Sequence, residues 1–163
     1  MLKVYAGRRA AMAAKKGKRQ ALLRLGFLLY CALMLWLLFD RTKPEAVEDY
    51  WGLMAQNVNL RPFETIRLYW ELLTIPEYAR YRNHAIVNLL GNIVMFVPLG
   101  AFLPALWKRM RKLWKTLLVT ALLIAAVEIA QLLLLVGSCD VDDLILNVIG
   151  AGIGYGIYRL IKK

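Results

Sequence analysis

AIVNLLGNIVMFVPLGAFLPALW, residues 85–107, decides the fold: 23 residues pass without a formal charge. At about 1.5 Å of rise per residue, a helix of that length crosses about 30 Å of hydrocarbon. Three further runs match it. Residues 21–39 are marred only by Arg24, residues 117–136 carry one acid, Glu128, and residues 144–161 carry Arg159 near their end. The 163-residue chain is 60% hydrophobic with a mean hydropathy of +0.50, yet 20% of it is charged. A soluble domain of this size cannot hide so much apolar surface in one core. Disorder is excluded too, because disordered chains are poor in Leu, Ile and aromatics. The expectation is an all-α membrane protein, four transmembrane helices in a bundle.

The charges give the expected topology. Residues 1–24 hold eight Lys or Arg, the turn 108–115 holds five and the tail from Arg159 holds three, with no acid in any of these segments. All sixteen bases fall on one face if four spans alternate. Lys and Arg are retained on the cytoplasmic side, so both termini are expected inside. The other six bases mix with seven acids in residues 40–82, which would lie outside. The net charge of +11 is therefore a topology signal, and no nucleic-acid partner is expected. Contact with the bilayer, including anionic lipid of the inner leaflet, is the simpler role. Residues 1–20 read as a basic cytoplasmic segment and 21–163 as the membrane domain. The first span ends Leu37-Leu38-Phe39-Asp40 with no small-x-small cleavage pattern, so it reads as an uncleaved anchor.

The connection 40–84 is long and rich in aromatics. Pro44, followed by Glu45, Glu48 and Asp49, predicts a helix start. Pro62, followed by Phe63, Ile66, Tyr69 and Trp70 with Glu64, Arg67 and Glu71 on a polar side, predicts another. Thr74-Ile75-Pro76-Glu77 predicts a third, feeding span two. Short amphipathic helices lying on the outer leaflet, or forming a lid, are expected. Cys31 sits mid-span and Cys139 near the outer mouth, so no disulfide is expected.

Polar residues inside spans are costly and need a reason. Counted from the outer ends at about 1.5 Å per residue, Asn88, Asn92, Glu128, Gln131 and Asn147 all fall in the outer half. The inner half reads as almost free of such groups. Asn88 and Asn92 are i, i+4; Glu128 and Gln131 are i, i+3; Asp140, Asp143 and Asn147 advance by three and four. Asp140, Asp142 and Asp143 stand at the outer mouth, level with Arg82 and His84. A polar pocket open to the outside is the economical inference, and interhelical hydrogen bonding is the plain alternative. Glu128, a carboxylate in mid-membrane, is the functional candidate.

Small residues predict close helix packing. Gly150, Gly152, Gly154 and Gly156 recur in span four, giving two small-xxx-small registers. Gly91 and Gly100 are expected to act similarly in span two, and Pro98 to kink it. Packing within one chain is favoured, with a homodimer as the alternative.

Four motifs stand in order along the chain: Asn59-Leu60-Arg61-Pro62-Phe63-Glu64-Thr65-Ile66; Asn88-x-x-Gly91-Asn92-x-x-x-Phe96-x-Pro98-x-Gly100; Glu128-x-x-Gln131; and Asp140-x-Asp142-Asp143-x-x-x-Asn147-x-x-Gly150. Together they resemble the VanZ-like family of small bacterial membrane proteins over about residues 55–156. Many members carry an Arg before the closing aspartates where Gly137-Ser138-Cys139 stand here, and Val148 replaces a frequent Thr. The resemblance implies a multi-pass plasma-membrane protein of the bacterial cell envelope. The family is named for low-level resistance to teicoplanin, a lipid-tailed glycopeptide.

Three functions compete. A binder would use Asn88, Asn92, Glu128, Gln131, Asp140, Asp142, Asp143 and Asn147 to hold an envelope lipid, a lipid-linked precursor or a glycopeptide. An intramembrane enzyme would use Glu128 and Asp143 as acid and base, or as metal ligands. Against it stand the lack of an H-E-x-x-H motif or nucleophile elbow and a single His. A proton-coupled transporter would use Glu128. No cofactor and no metal are expected.

Overall fold

The computed structural model describes residues 2–40 and 47–162, with side chains from position 12 and from 14 onward. Four of its helices are long and apolar enough to cross a membrane: α1 (Leu2–Phe39), α4 (Arg82–Leu106), α5 (Leu113–Leu133) and α6 (Val141–Ile161). The chain is an all-α membrane protein. The basic segment expected at 1–20 runs into the first span as one unbroken helix.

α1 lies at the edge of the bundle. Its Leu22, Leu28, Leu29, Leu33 and Trp36 are exposed, as suits a surface solvated by hydrocarbon rather than water. It docks on α4 through a small aromatic set: Phe27 meets Phe102 edge-on at 5.8 Å and Trp107 at 5.3 Å. The Tyr30 hydroxyl donates to the Met95 carbonyl at 2.9 Å, within a turn of the place where Pro98 removes a backbone donor. α4 continues through both Pro98 and Pro104. Met34, Phe96, Leu99, Leu103 and Ile124 form the buried core between α1, α4 and α5.

α4 and α6 make the most extensive pairing in the molecule. A Cβ on Gly100 would be driven into the Ala151 carbonyl, one on Gly150 into that of Ile93, and one on Gly154 into that of Val97. The two backbones therefore touch, as small residues permit in membrane helices, where dispersion between close backbones replaces the missing hydrophobic drive. Only one of the two small-residue registers in α6 does this. Gly152 meets Leu117 at an ordinary 3.8 Å, and Gly156 has nothing within 4 Å. Gly91 also has nothing within 4 Å, so the packing expected of it is not made.

α5 presents Thr116, Thr120, Ile124 and Glu128 at four-residue spacing as its buried face, with Gln131 beyond them. The end of the bundle carrying both chain termini is thus less apolar inside than expected. The Thr116 hydroxyl donates to the Met110 carbonyl at 2.7 Å, and the Tyr155 hydroxyl to that of Arg111 at 2.6 Å. Both satisfy carbonyls of the short 3-10 turn, Lys108–Arg111, that joins α4 to α5.

The 40–84 connection holds α2 (Tyr50–Gln56), β1 (Val58–Asn59), α3 (Glu64–Thr74) and a 3-10 turn (Pro76–Tyr81). Pro44 and Glu45 lie outside the described residues. The first helix starts at Tyr50 because Asp49 caps it, accepting from the Gly52 N–H at 2.8 Å. α3 starts near Pro62, as expected, and the third predicted start becomes the 3-10 turn feeding α4. β1 pairs in parallel with β2 (Cys139–Asp140), which stands just before α6, matching Val58 with Cys139 and Asn59 with Asp140. This two-residue ladder seats the connection on the start of α6.

Candidate functional site

The polar residues of four elements converge where α6 begins, and the three aspartates there divide the work. Asp140 is the N-cap of α6: one carboxylate oxygen accepts from the Asp142 N–H at 2.8 Å. Its other oxygen accepts from the Thr65 hydroxyl of α3 at 2.5 Å and from Asn59 Nδ2 at 3.4 Å. Its own N–H donates to the Glu128 carboxylate of α5 at 3.3 Å. Asn59 is held in turn, its Nδ2 donating to Thr65 Oγ1 at 3.0 Å and its Oδ1 accepting from the Arg61 N–H at 3.1 Å.

Asp142 is fully buried, and both its oxygens turn to α3. They accept from the Phe63 N–H at 2.6 Å and the Ile66 N–H at 3.0 Å. The residue in the N-cap position of α3 is Phe63, which has no side-chain acceptor and sits in the left-handed region at φ 68°. That conformation costs a bulky L-residue about 1–2 kcal/mol. Asp142 supplies from another helix the cap that Phe63 lacks, and its charge lies against the positive end of the α3 dipole. Without that carboxylate the Phe63 and Ile66 N–H groups would lose their acceptor while Phe63 stays in the left-handed region.

Asp143 turns the third way. Its carboxylate accepts from Asn92 Nδ2 of α4, and both side chains are half-buried. Asn88, one turn nearer the connection, bonds within its own helix, donating to the His84 carbonyl at 2.9 Å beside the imidazole. The His84 ring stands edge-on to Tyr69 of α3 at 6.0 Å. Burial raises the Tyr69 phenol above its ordinary pKa, and the carboxylates of Asp143 and Asp140 raise it further. Cys139 is raised likewise, by burial first and then by Glu128 and Asp140. Gln131 leaves the group: its Nε2 donates to the Leu38 carbonyl at 2.7 Å, closing the end of α1. Asn147 is 4% exposed and its Oδ1 has no hydrogen-bond partner, as is true of Thr120 Oγ1.

Of the eight residues read from the sequence as ligand-binding, then, Asn92 meets Asp143, and Glu128 meets the Asp140 backbone. Asp140 and Asp142 serve the connection rather than an open pocket, while Asn88 and Gln131 satisfy backbone carbonyls. Asn59, Phe63, Thr65 and Tyr69 belong to this constellation, though composition and spacing gave no sign of it. The signals available were the Asn59–Ile66 motif and, within it, Phe63, an apolar residue at a helix start where a capping oxygen is needed. A cavity of about 780 Å³ opens beside α2 and α3, not between the spans. Among the described residues no group of three or more His, Cys, Asp or Glu could hold a metal ion.

No solved structure matches the chain. Protein VanZ of Enterococcus faecium is similar to it, 24% identical over 135 residues that make up 83% of this chain and 72% of that one. The family described as VanZ/LLP1 matches residues 27–162, which takes in the second half of the first span, the other three spans and the whole aspartate-centred site. By that match the chain belongs to the VanZ/LLP1 family.

Proposed function

We propose that the chain is a bacterial plasma-membrane protein with both termini cytoplasmic. Its polar layer, centred on Asn92 and Asp143, binds the head group of an envelope lipid or of a lipid-tailed glycopeptide and contributes to teicoplanin-type resistance without catalysing a reaction. The observation that carries the reading is the split among the aspartates. Asp140 and Asp142 are engaged by α3 and by backbone, whereas the half-buried Asn92–Asp143 contact joins two spans. Asn147, on the same face of α6 as Asp143, adds a buried amide oxygen with no protein partner. Amides and carboxylates of this kind suit sugar hydroxyls, peptide amides and amines. The sixteen acid-free bases support the orientation that puts this layer in the outer leaflet.

The test is glycopeptide susceptibility in a host lacking the protein. Wild type, Asn92→Ala, Asp143→Asn and Glu128→Gln would be compared at matched membrane levels, with teicoplanin beside vancomycin. Protection against teicoplanin that disappears in Asn92→Ala and Asp143→Asn is expected. Glu128→Gln keeps an acceptor for the Asp140 N–H, so it should retain protection. Its failure alone would favour the acid–base reading. No protection from wild type, or full protection from both Asn92→Ala and Asp143→Asn, overturns the proposal.

A further inference from the structure

The cavity beside α3 meets the site above only at Asn59 and Thr65. It is an open trough of about 780 Å³ rather than an enclosed pocket. Ala55, Val58, Leu60 and Leu68 give it apolar walls, and three of these are large residues left exposed, Leu60 by 69%. Asn59 and Thr65 also line it, but their polar groups are engaged with each other and with Asp140. The charge available to an occupant therefore comes from Arg61 and Glu64. They stand one helical turn apart at 3.9 Å, with side chains 85% and 54% exposed. At that distance and exposure they hold each other weakly, by well under about 1 kcal/mol. The cavity thus offers one cation and one anion side by side at the mouth of an apolar trough.

The surroundings say where the occupant comes from. Leu60 and Leu68 on its wall are exposed by 69% and 52%, on a connection that joins two membrane spans. Exposed apolar side chains on a short amphipathic helix between two spans suit the boundary between head groups and acyl chains. An isolated cation there would select anionic lipid, whereas a neutral Arg–Glu pair does not. It complements a head group that carries both charges.

We infer that this trough is a binding site for a zwitterionic phospholipid of the phosphoethanolamine type. Its phosphate lies on Arg61, its ammonium on Glu64, and one acyl chain runs along Leu60 and Leu68. The inference is independent of the proposed role of Asn92 and Asp143. The lipid's contact with the Asn59–Thr65 segment, which Asp140 also grips, would tie the trough to the start of α6.

The test uses the full chain in lipid nanodiscs and two photoreactive phospholipids with identical benzophenone-bearing chains, one phosphatidylethanolamine and one phosphatidylglycerol. Crosslinks are mapped by peptide mass spectrometry. The phosphatidylethanolamine probe should label residues 55–68, and the phosphatidylglycerol probe should label them several-fold less. Arg61→Ala and Glu64→Ala should each reduce the phosphatidylethanolamine label about two- to threefold, the size expected of one exposed ion pair. Both positions are exposed, so neither variant threatens the fold. Equal labelling by the two probes, or labelling unchanged in both variants, overturns the inference. Neither result bears on drug protection by the Asn92–Asp143 layer.

Discussion

The α4–α6 seam and the start of α6 belong to the same pair of helices, yet they are held in opposite ways. Along the seam the side chains are removed: Gly100, Gly150 and Gly154 let carbonyls lie against bare Cα atoms. At the start of α6 side chains do everything: three carboxylates reach α3, α4 and the N-terminus of α6 itself. The difference follows from what each region must satisfy. Mid-helix backbone is already paired within its own helix, so contact only has to be close. Helix ends leave N–H groups without partners, and an acceptor must be brought to them. The seam can thus be broken by adding atoms, and the polar end by removing them.

The largest expected effect is at the seam. Gly154→Val puts a branched side chain where the Val97 carbonyl lies, and the two helices must separate. We expect a loss of about 3 kcal/mol or more, at the upper end of overpacking costs, read as unfolding in mixed micelles of increasing SDS. Gly91→Val and Gly156→Val, with nothing within 4 Å, should fall within about 0.5 kcal/mol of wild type. A loss as large at Gly91 as at Gly154 would mean that an oligomer covers that face. At the polar end, Asp142→Ala strips the cap from α3 and leaves two N–H groups with no acceptor. About 2 kcal/mol is expected, because the freed turn can reach water. The local signature is faster hydrogen exchange at Phe63 and Ile66 with the spans unchanged. Smaller again is Asn92→Ala, which removes one hydrogen bond between two spans, worth about 1 kcal/mol in a membrane. Its effect on stability should therefore be slight beside its effect on protection.

The two regions were not equally legible in the sequence. The seam was, because a run of glycines at four-residue spacing inside an apolar helix has few other uses, although only contact geometry selects Gly150 and Gly154 over Gly152 and Gly156. The spans were legible to within a few residues, and the errors have causes. Hydropathy places the third span at 117–136, but α5 ends at Leu133, ahead of Leu135 at φ 53°. The fourth begins at Val141 rather than at 144 because Asp140 caps it there. Helix ends are set by caps and turns, and apolarity reports only the middle. The polar end was half legible. Asp140, Asp142 and Asp143 were visible as a cluster, but spacing along one helix cannot show that each points to a different element. Asp142 caps a helix 79 positions earlier in the chain, and no local pattern carries that information.

The smallest prediction probes the polar end without dismantling it. Cys139 lies in β2, half-buried, between Asn57, whose carbonyl accepts its N–H at 2.8 Å, and Asp140. Burial raises its thiol pKa, and the carboxylates of Glu128 and Asp140 add to the rise by disfavouring a second negative charge. Only the thiolate is nucleophilic, so a raised pKa means less of it at any given pH and slower alkylation. In a Cys31→Ala background, the iodoacetamide rate of Cys139 should climb with pH along a curve displaced to the alkaline side of a free cysteine's. Glu128→Gln keeps the side chain's shape and removes its charge. The curve should then move back toward neutral pH, with a few-fold gain in rate near pH 8. Asp140→Asn should move it the same way but also loosen Thr65, so its gain would mix electrostatics with exposure. A curve unmoved by Glu128→Gln would mean that burial alone sets the thiol. Glu128 would then be electrostatically silent toward the start of α6, and its part there would reduce to accepting the Asp140 N–H.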